Sequence, residues 1–394
     1  MNEPAPTATI YSRIAEIGGE VWDACAGLGH PFTAYAFLAA LEEAGCVKPQ
    51  TGWAPQHVVL SQGGRAIGCM PMYLKGHSQG EYIFDHGWAD AYERAGGRYY
   101  PKLLVAVPFT PVTGPRLLLA PDAPAAARAL LVGAGIELAR RHAASSLHFN
   151  FLPEADWRSL GEQGLLLRND QQFHWFNRGY RDFRDFLDAL SSRKRKTIRK
   201  ERELAQEAGL EIMALTGAEI TEAHWDAFFQ FYMDTGSRKW GRPYLNRRFF
   251  SLLGQAMAER VVVVMCRRQG RYIAGALNLL GEDALYGRYW GCVEDRPLLH
   301  FEVCYYQAID YAIRRGLARV EAGAQGPHKI ARGYVPVAIH SAHWIADQRF
   351  RVAVERYLNE ERREVASNIE HLAEYAPYRK GERRREEARE DTPL

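Results

Sequence analysis

Arg314-Arg-Gly-Leu-Ala-Arg-Val320-Glu321-Ala-Gly-Ala-Gln325-Gly-Pro-His328-Lys329-Ile-Ala-Arg332-Gly-Tyr334-Val-Pro336 holds a helix end, a strand and a loop in one run. Upstream of it, apolar residues at 301, 304, 305, 308, 309 and 312 form one stripe, which predicts a helix over Phe301–Arg315. Alternation after Arg319 predicts a strand with Glu321, Gly323 and Gln325 on one face and Val320, Ala322 and Ala324 on the other. A helix feeding a strand that breaks into a polar, glycine-rich loop is an α/β pattern, and such loops commonly hold ligands. A carboxylate and an amide share a face that a glycine leaves open, and His328, Lys329, Arg332 and Tyr334 follow at once. Any one of these fits a solvated loop equally well. Their clustering makes the candidate site.

The same pattern occurs earlier in the chain. Trp22-Asp-Ala matches Trp225-Asp-Ala, and Gly64-Arg65-Ala-Ile67 matches Gly270-Arg271-Tyr-Ile273, at offsets of 203 and 206. Arg141-His-Ala-Ala-Ser-Ser-Leu147-His148 matches Arg314 to Glu321 at an offset of 173. Three matches in one order predict an internal duplication, each half reading helix, antiparallel hairpin, further strand, helix, strand. The fall in offset places about 33 extra residues in the first half, between Lys75 and Arg116. The expected fold class is therefore α/β with a mixed sheet. Its expected domains are 1–165, then 166–345 with the candidate site, then 346–394 as a charged helix (352–373) and a disordered tail.

Composition narrows the function. With 47% hydrophobic and 25% charged residues, the 394-residue chain has ample material for buried cores. A net charge of +3 creates no global field for DNA or membranes, so any such partner must be met by local clusters. The six cysteines include no Cys-x-x-Cys pair, and no His-Glu-x-x-His spacing occurs among 13 histidines. A metal is not expected, and a reducing, cytoplasmic setting is. Neither a signal peptide nor an apolar run of membrane-spanning length is evident, which leaves transient contact with a membrane surface as the only membrane role expected.

The strongest local cluster is Arg193-Lys-Arg-Lys196-Thr-Ile-Arg199-Lys200-Glu-Arg202, seven cations in ten residues. On a helix, Arg193, Lys196 and Arg199 or Lys200 share a side, so several charges can meet one polyanion, while Ile198, Leu204, Ala205 and Ala208 belong to an apolar stripe. A merely solvated face is the competing reading. His300 and Glu302 open the 301–315 helix, where a carboxylate is either a dipole partner or an acid/base group. In Leu285–Cys292, alternation predicts Tyr286, Arg288 and Trp290 on one face, with Tyr289 opposite between Gly287 and Gly291. That is either a ligand floor or a core strand. Gly236–Tyr244 reads as a polar loop. No P-loop, dinucleotide fingerprint or Gly-x-Ser-x-Gly elbow occurs.

Arg193–Lys200 leading to Ala208-Gly-Leu210, and Lys329-Ile-Ala-Arg332-Gly-Tyr334, are similar to segments of the Fem-type aminoacyltransferases, which have tandem acetyltransferase-like (GNAT) domains. Together with Tyr289-Trp-Gly291, His300-Phe-Glu302-x-Cys304-Tyr-Tyr and the Glu321–Tyr334 run, they make nearly the whole chain resemble a FemAB-like, peptidoglycan-biosynthesis-like branch. The resemblance implies an acyl or aminoacyl transferase forming an amide on an amine acceptor such as a peptidoglycan precursor. No bound cofactor is implied; the co-substrate is aminoacyl-tRNA or acyl-CoA. In this reading Glu321 or Glu302, with His300 as alternate, orients or deprotonates the amine. Lys329 and Arg332 hold the acyl oxygen or donor phosphates, and Gln325, His328 and Tyr334 position substrate over a floor of Arg288, Tyr289 and Trp290. Arg193, Lys196, Arg199 and Lys200 steer an anionic donor such as tRNA. One departure counts against acetyl-CoA: its Arg/Gln-x-x-Gly-x-Gly/Ala signature is matched only poorly, by Val112-Thr-Gly114-Pro-Arg116. An acyl-CoA-dependent N-acyltransferase and a non-catalytic RNA- or precursor-binding protein stay open as alternatives.

Overall fold

In a computed structural model, which describes residues 4–206, 209–239, 243–323 and 326–379, the three sequence matches fall on the same elements in both halves. In the first half, strand Thr7–Tyr11 pairs antiparallel with His57–Gln62, which turns at Gly63-Gly64 into Arg65–Met70. Pro71, which has no N–H to donate, separates that strand from Met72–Lys75. The latter pairs antiparallel with Lys102–Val105, itself parallel to Ser146–Leu152. In the second half, Leu210–Thr216, Val261–Arg268, Arg271–Leu280 and Ala284–Cys292 pair antiparallel in turn, and the last is parallel to Arg319–Glu321. Each parallel strand is fed by a helix, Ala127–Arg141 or Leu299–Arg314. The mixed-sheet α/β class expected from the sequence is the class observed.

The halves differ where extra residues were expected. Three residues, 281–283, join the two antiparallel strands of the second half, whereas 76–101 join their first-half counterparts. The helices form because their apolar residues recur on one face: Ala127, Leu131, Val132 and Leu138 lie against Val58, Met70 and Leu147.

The chain divides into two units. One comprises Met1–Asp170, Tyr244–Met257 and Ala338–Ala366; the other comprises Gln171–Pro243, Ala258–Val337 and Ser367–Leu394. The C-terminal helix spans Gln348–Ala373, and in the first unit its Glu361 takes a two-pronged bond from Arg168 (2.8 and 2.7 Å). Val354 and Leu358 are buried there with Trp88 and Leu166, so this part of the helix folds back onto the first unit. No helix among the described residues is long and apolar enough to cross a membrane.

Three local expectations need correction. The strand after the helix stops at Glu321, because Gly323 takes φ +73° and leaves extended backbone. Helix Glu222–Lys239 runs into the stretch read as a loop from Gly236. In Ala284–Cys292 the register slips between Leu277 and Asn278, so Gly287 and Tyr289 face consecutive partners with Arg288 as the extra residue. This bulge moves Tyr289 onto the face of Tyr286 and Trp290 onto the opposite one. Gln325, Trp240–Arg242 and the tail from 380 lie outside the described residues.

Candidate active site

In the second unit, the short strand Arg319–Glu321 sits between Ala284–Tyr286 and His174–Phe176. Val320 points to the helix side, where it is buried with Leu285, Ile309 and Ala312. Glu321 therefore points to the other face, beside its ladder partners Tyr286 and His174. It is only 3% exposed. Arg319 Nε donates to Glu321 Oε1 at 2.9 Å, and the same guanidinium donates to Tyr286 Oη at 3.2 Å and to Asp283. Glu321 Oε2 has no hydrogen-bond partner among the described residues; His174 Nε2 lies 3.7 Å from it. A buried carboxylate oxygen without a donor is costly, and such a group is a natural seat for a ligand N–H.

His174 is buried, and burial pushes its pKa down, with Glu321 opposing and Arg319 and Lys329 assisting. Its Nε2 lies 3.2 Å from Gln172 Oε1. Lys329, on the turn Pro327–Arg332, is 1% exposed and donates from Nζ to the carbonyl of Gly323 at 2.8 Å. Burial lowers its pKa to about 7. His174 thus lies within electrostatic reach of both Glu321 and Lys329.

The neighbouring turn brings together most of the other expected residues. Helix Leu299–Arg314 carries a π turn over Glu302–Tyr306, in which the Gln307 N–H reaches the Glu302 carbonyl, and such wide turns often mark sites. Tyr305 Oη is 2.9 Å from His328 Nε2, and its ring meets those of His300 and Tyr334. His300 also packs against Trp290. The Arg332 guanidinium lies 3.4 Å from the Phe301 ring centroid and donates to both Glu201 carboxylate oxygens at 3.0 Å. Arg332 Nε and the buried Tyr334 Oη have no hydrogen-bond partner among the described residues.

Glu302 is placed otherwise. It is fully buried and receives hydrogen bonds from Arg202, Gln206 and Gln307, which fit a clamp between helices better than a base. Tyr289 stands on the Glu321 face against Tyr232, with Arg288 over its ring, apart from Trp290 and His300. The basic segment is helix Ser192–Gln206, docked through Ile198 and Ala205; Leu204, expected on the same stripe, is exposed instead, and Ala208 lies outside the described residues. The helix's Glu201 and Arg202 reach inward to Arg332 and Glu302. Arg193, Lys196, Arg199 and Lys200 are exposed, and none of them forms a salt bridge among the described residues.

His174 and Arg319 were not singled out from the sequence, and Tyr286 was read only as part of the Leu285–Cys292 face. For His174 a signal existed: Gln172 and His174 alternate with Phe173 and Trp175, a polar face on a short aromatic strand. Among the described residues no cluster of His, Cys, Asp and Glu could hold a metal ion.

A model of the FemAB-like family, described as peptidoglycan biosynthesis/recognition, matches residues 13–380. Among solved structures, FemX is similar over 89% of this chain and 100% of its own, at 12% identity and a TM-score of 0.52. The C-terminal domain of an assigned lysylphosphatidylglycerol synthetase from Agrobacterium fabrum is similar over 87% and 96%, at 12% identity and a TM-score of 0.54. A tandem GNAT protein from the clavulanic acid biosynthesis pathway is similar over 87% and 98%, at 12% identity and a TM-score of 0.44. The search of curated proteins found no match. At 12% identity the likeness to FemX and to the synthetase domain speaks for the fold alone.

Proposed function

The chain belongs to the FemAB-like family, and on that premise we propose that it transfers an aminoacyl or other acyl group onto an amine, forming an amide in a cell-envelope precursor. The observation that carries this reading is the buried Glu321, whose Oε2 has no hydrogen-bond partner among the described residues; Lys329, in the same unit, is brought by burial to about pKa 7. The acceptor amine donates an N–H to Oε2, gives up that proton and attacks the acyl carbon. The acyl oxygen becomes an oxyanion, and Lys329, as ammonium, turns from the Gly323 carbonyl to donate to it. Collapse re-forms the carbonyl and breaks the bond to the donor's oxygen, or sulfur for a thioester. The proton held by Glu321 ends on that leaving atom. Arg319 fixes the carboxylate by occupying only Oε1.

The four exposed cations of the basic helix favour a polyanionic donor, aminoacyl-tRNA, over a small thioester. The test is amide formation by the purified chain from aminoacyl-tRNA and, separately, from acyl-CoA, using an amine-bearing peptidoglycan precursor. Lys329→Ala should lose at least a hundredfold in turnover with its circular dichroism unchanged. Full activity in that variant removes Lys329 from the mechanism, and transfer from acyl-CoA alone removes tRNA.

A further inference from the structure

The duplication gives Glu321 a counterpart. The offset of 173 that aligns Leu147 with Val320 aligns His148 with Glu321, and both lie on the parallel strand fed by a helix. His148 too is buried in a polar centre, built mainly by the residues that only the first half possesses. Lys102 Nζ donates to Ser78 Oγ (2.7 Å), to Glu81 Oε2 (2.8 Å) and to Asp85, which uses all three ammonium protons. Asp85 also accepts from Tyr99 Oη at 2.7 Å and lies 3.8 Å from His148 Nε2. Lys102 is therefore saturated and structural.

Lys75 is not saturated. Its Nζ sits 3.5 Å from the Trp53 ring centroid and has one long hydrogen bond, 3.4 Å, to the Gln79 carbonyl. Glu81 Oε1 faces it at 3.9 Å and has no hydrogen-bond partner among the described residues. Both side chains are at least 96% buried. A buried donor and a buried acceptor face each other just beyond bonding distance, and burial drives the lysine down and the glutamate up, each to about 7. A hydroxyl fits this pair: it accepts from Nζ and donates to Oε1 at once.

The surroundings narrow the ligand further. Phe109 packs against Trp53 at 5.2 Å, and Tyr244, 38% exposed, stacks on Phe109 at 4.9 Å, an aromatic wall leading from solvent to Lys75. Phe109 holds φ +58° and Gly80 beneath its ring holds φ +79°, where an added Cβ would meet that ring at 2.7 Å. A bulky residue in the left-handed region is costly and needs a reason. Gly76, next to Lys75 in the chain, and Gln79, whose carbonyl Lys75 meets, are both exposed.

We propose that the Lys75–Glu81 pair of the first unit is a second binding site, for a hydroxyl of a sugar or polyol whose apolar face lies on the Trp53–Phe109–Tyr244 wall. The proposal does not rest on the transferase reading, whose groups lie in the second unit and are read out by amide formation. Saturation-transfer difference NMR of the full chain with D-glucose and with glycerol as probes tests it. The expected result is transfer to the glucose ring protons exceeding that to glycerol, weakened at least fivefold in Lys75→Met and in Glu81→Gln. No transfer from either probe, or transfer undiminished in both variants, overturns the site. If the buried variants fail to fold, Tyr244→Ala at the exposed end should still weaken the glucose signal at least threefold, and an unchanged signal overturns the proposal.

Discussion

Lys329 shows what a single buried charge does to the stability of this fold. In the folded protein its pKa is about 7, below its ordinary 10.5, so between those values the unfolded chain binds more protons than the folded one. Stability then rises with pH across that window, and the cost of burial is fully present below pH 7. Replacing Lys329 with methionine removes a cost on the order of a few kcal/mol at pH 6. Urea unfolding of both proteins at pH 6 and pH 9 should show Lys329→Met the more stable at pH 6, with the gap narrowing by pH 9. Equal stability at pH 6 would mean that the ammonium is compensated by partners other than the Gly323 carbonyl. The residue itself was legible in the sequence, because a lysine amid glycines at a strand end is conspicuous. Its partners were not. Arg319 looked like an ordinary strand residue, and only the register with Tyr286 and His174 shows which face it shares with Glu321.

Among the elements, the docking of the basic helix against the π turn decides how Glu302 is read. The carboxylate meets Arg202 at 2.9 Å and two glutamine amides, so its capacity is taken up inside the fold. Truncating one member of a buried ion pair leaves the other uncompensated and costs about 3–5 kcal/mol. Glu302→Ala should therefore unfold at markedly lower denaturant while the fraction still folded retains kcat. Loss of kcat with an unshifted midpoint would restore Glu302 as an acid/base group. From the sequence its place at a helix start was visible, but not its partners, since Arg202 lies a hundred residues away. The bulge at Arg288 was equally hidden. Alternation reads every residue as a half-turn, and one extra residue swaps the faces of all that follow. That is why Tyr289 and Trp290 exchanged sides.

Over the whole molecule, the duplication was the most legible feature, because three short matches in one order constrain topology more than propensity does. The polar centre of 75–102 was the least legible. Charged residues read as surface unless something betrays their pairing, and Lys75, Glu81, Asp85 and Lys102 pair only with one another and their neighbours in the fold. The same logic governs nucleic-acid binding. A net charge of +3 spread over 394 residues gives no long-range field, so tRNA affinity has to come from a local cluster, and Arg193, Lys196, Arg199 and Lys200 are exposed with no salt bridge among the described residues. Four phosphate contacts would release enough counterions for log K to fall against log salt with a slope of about −3 to −4. Titrating tRNA over a salt series should give that slope for the native chain and a slope near zero after all four are changed to glutamate. A slope that survives the reversal would place the polyanion elsewhere on the protein. No binding at low salt would leave the helix a solvated face and turn the donor question to a thioester.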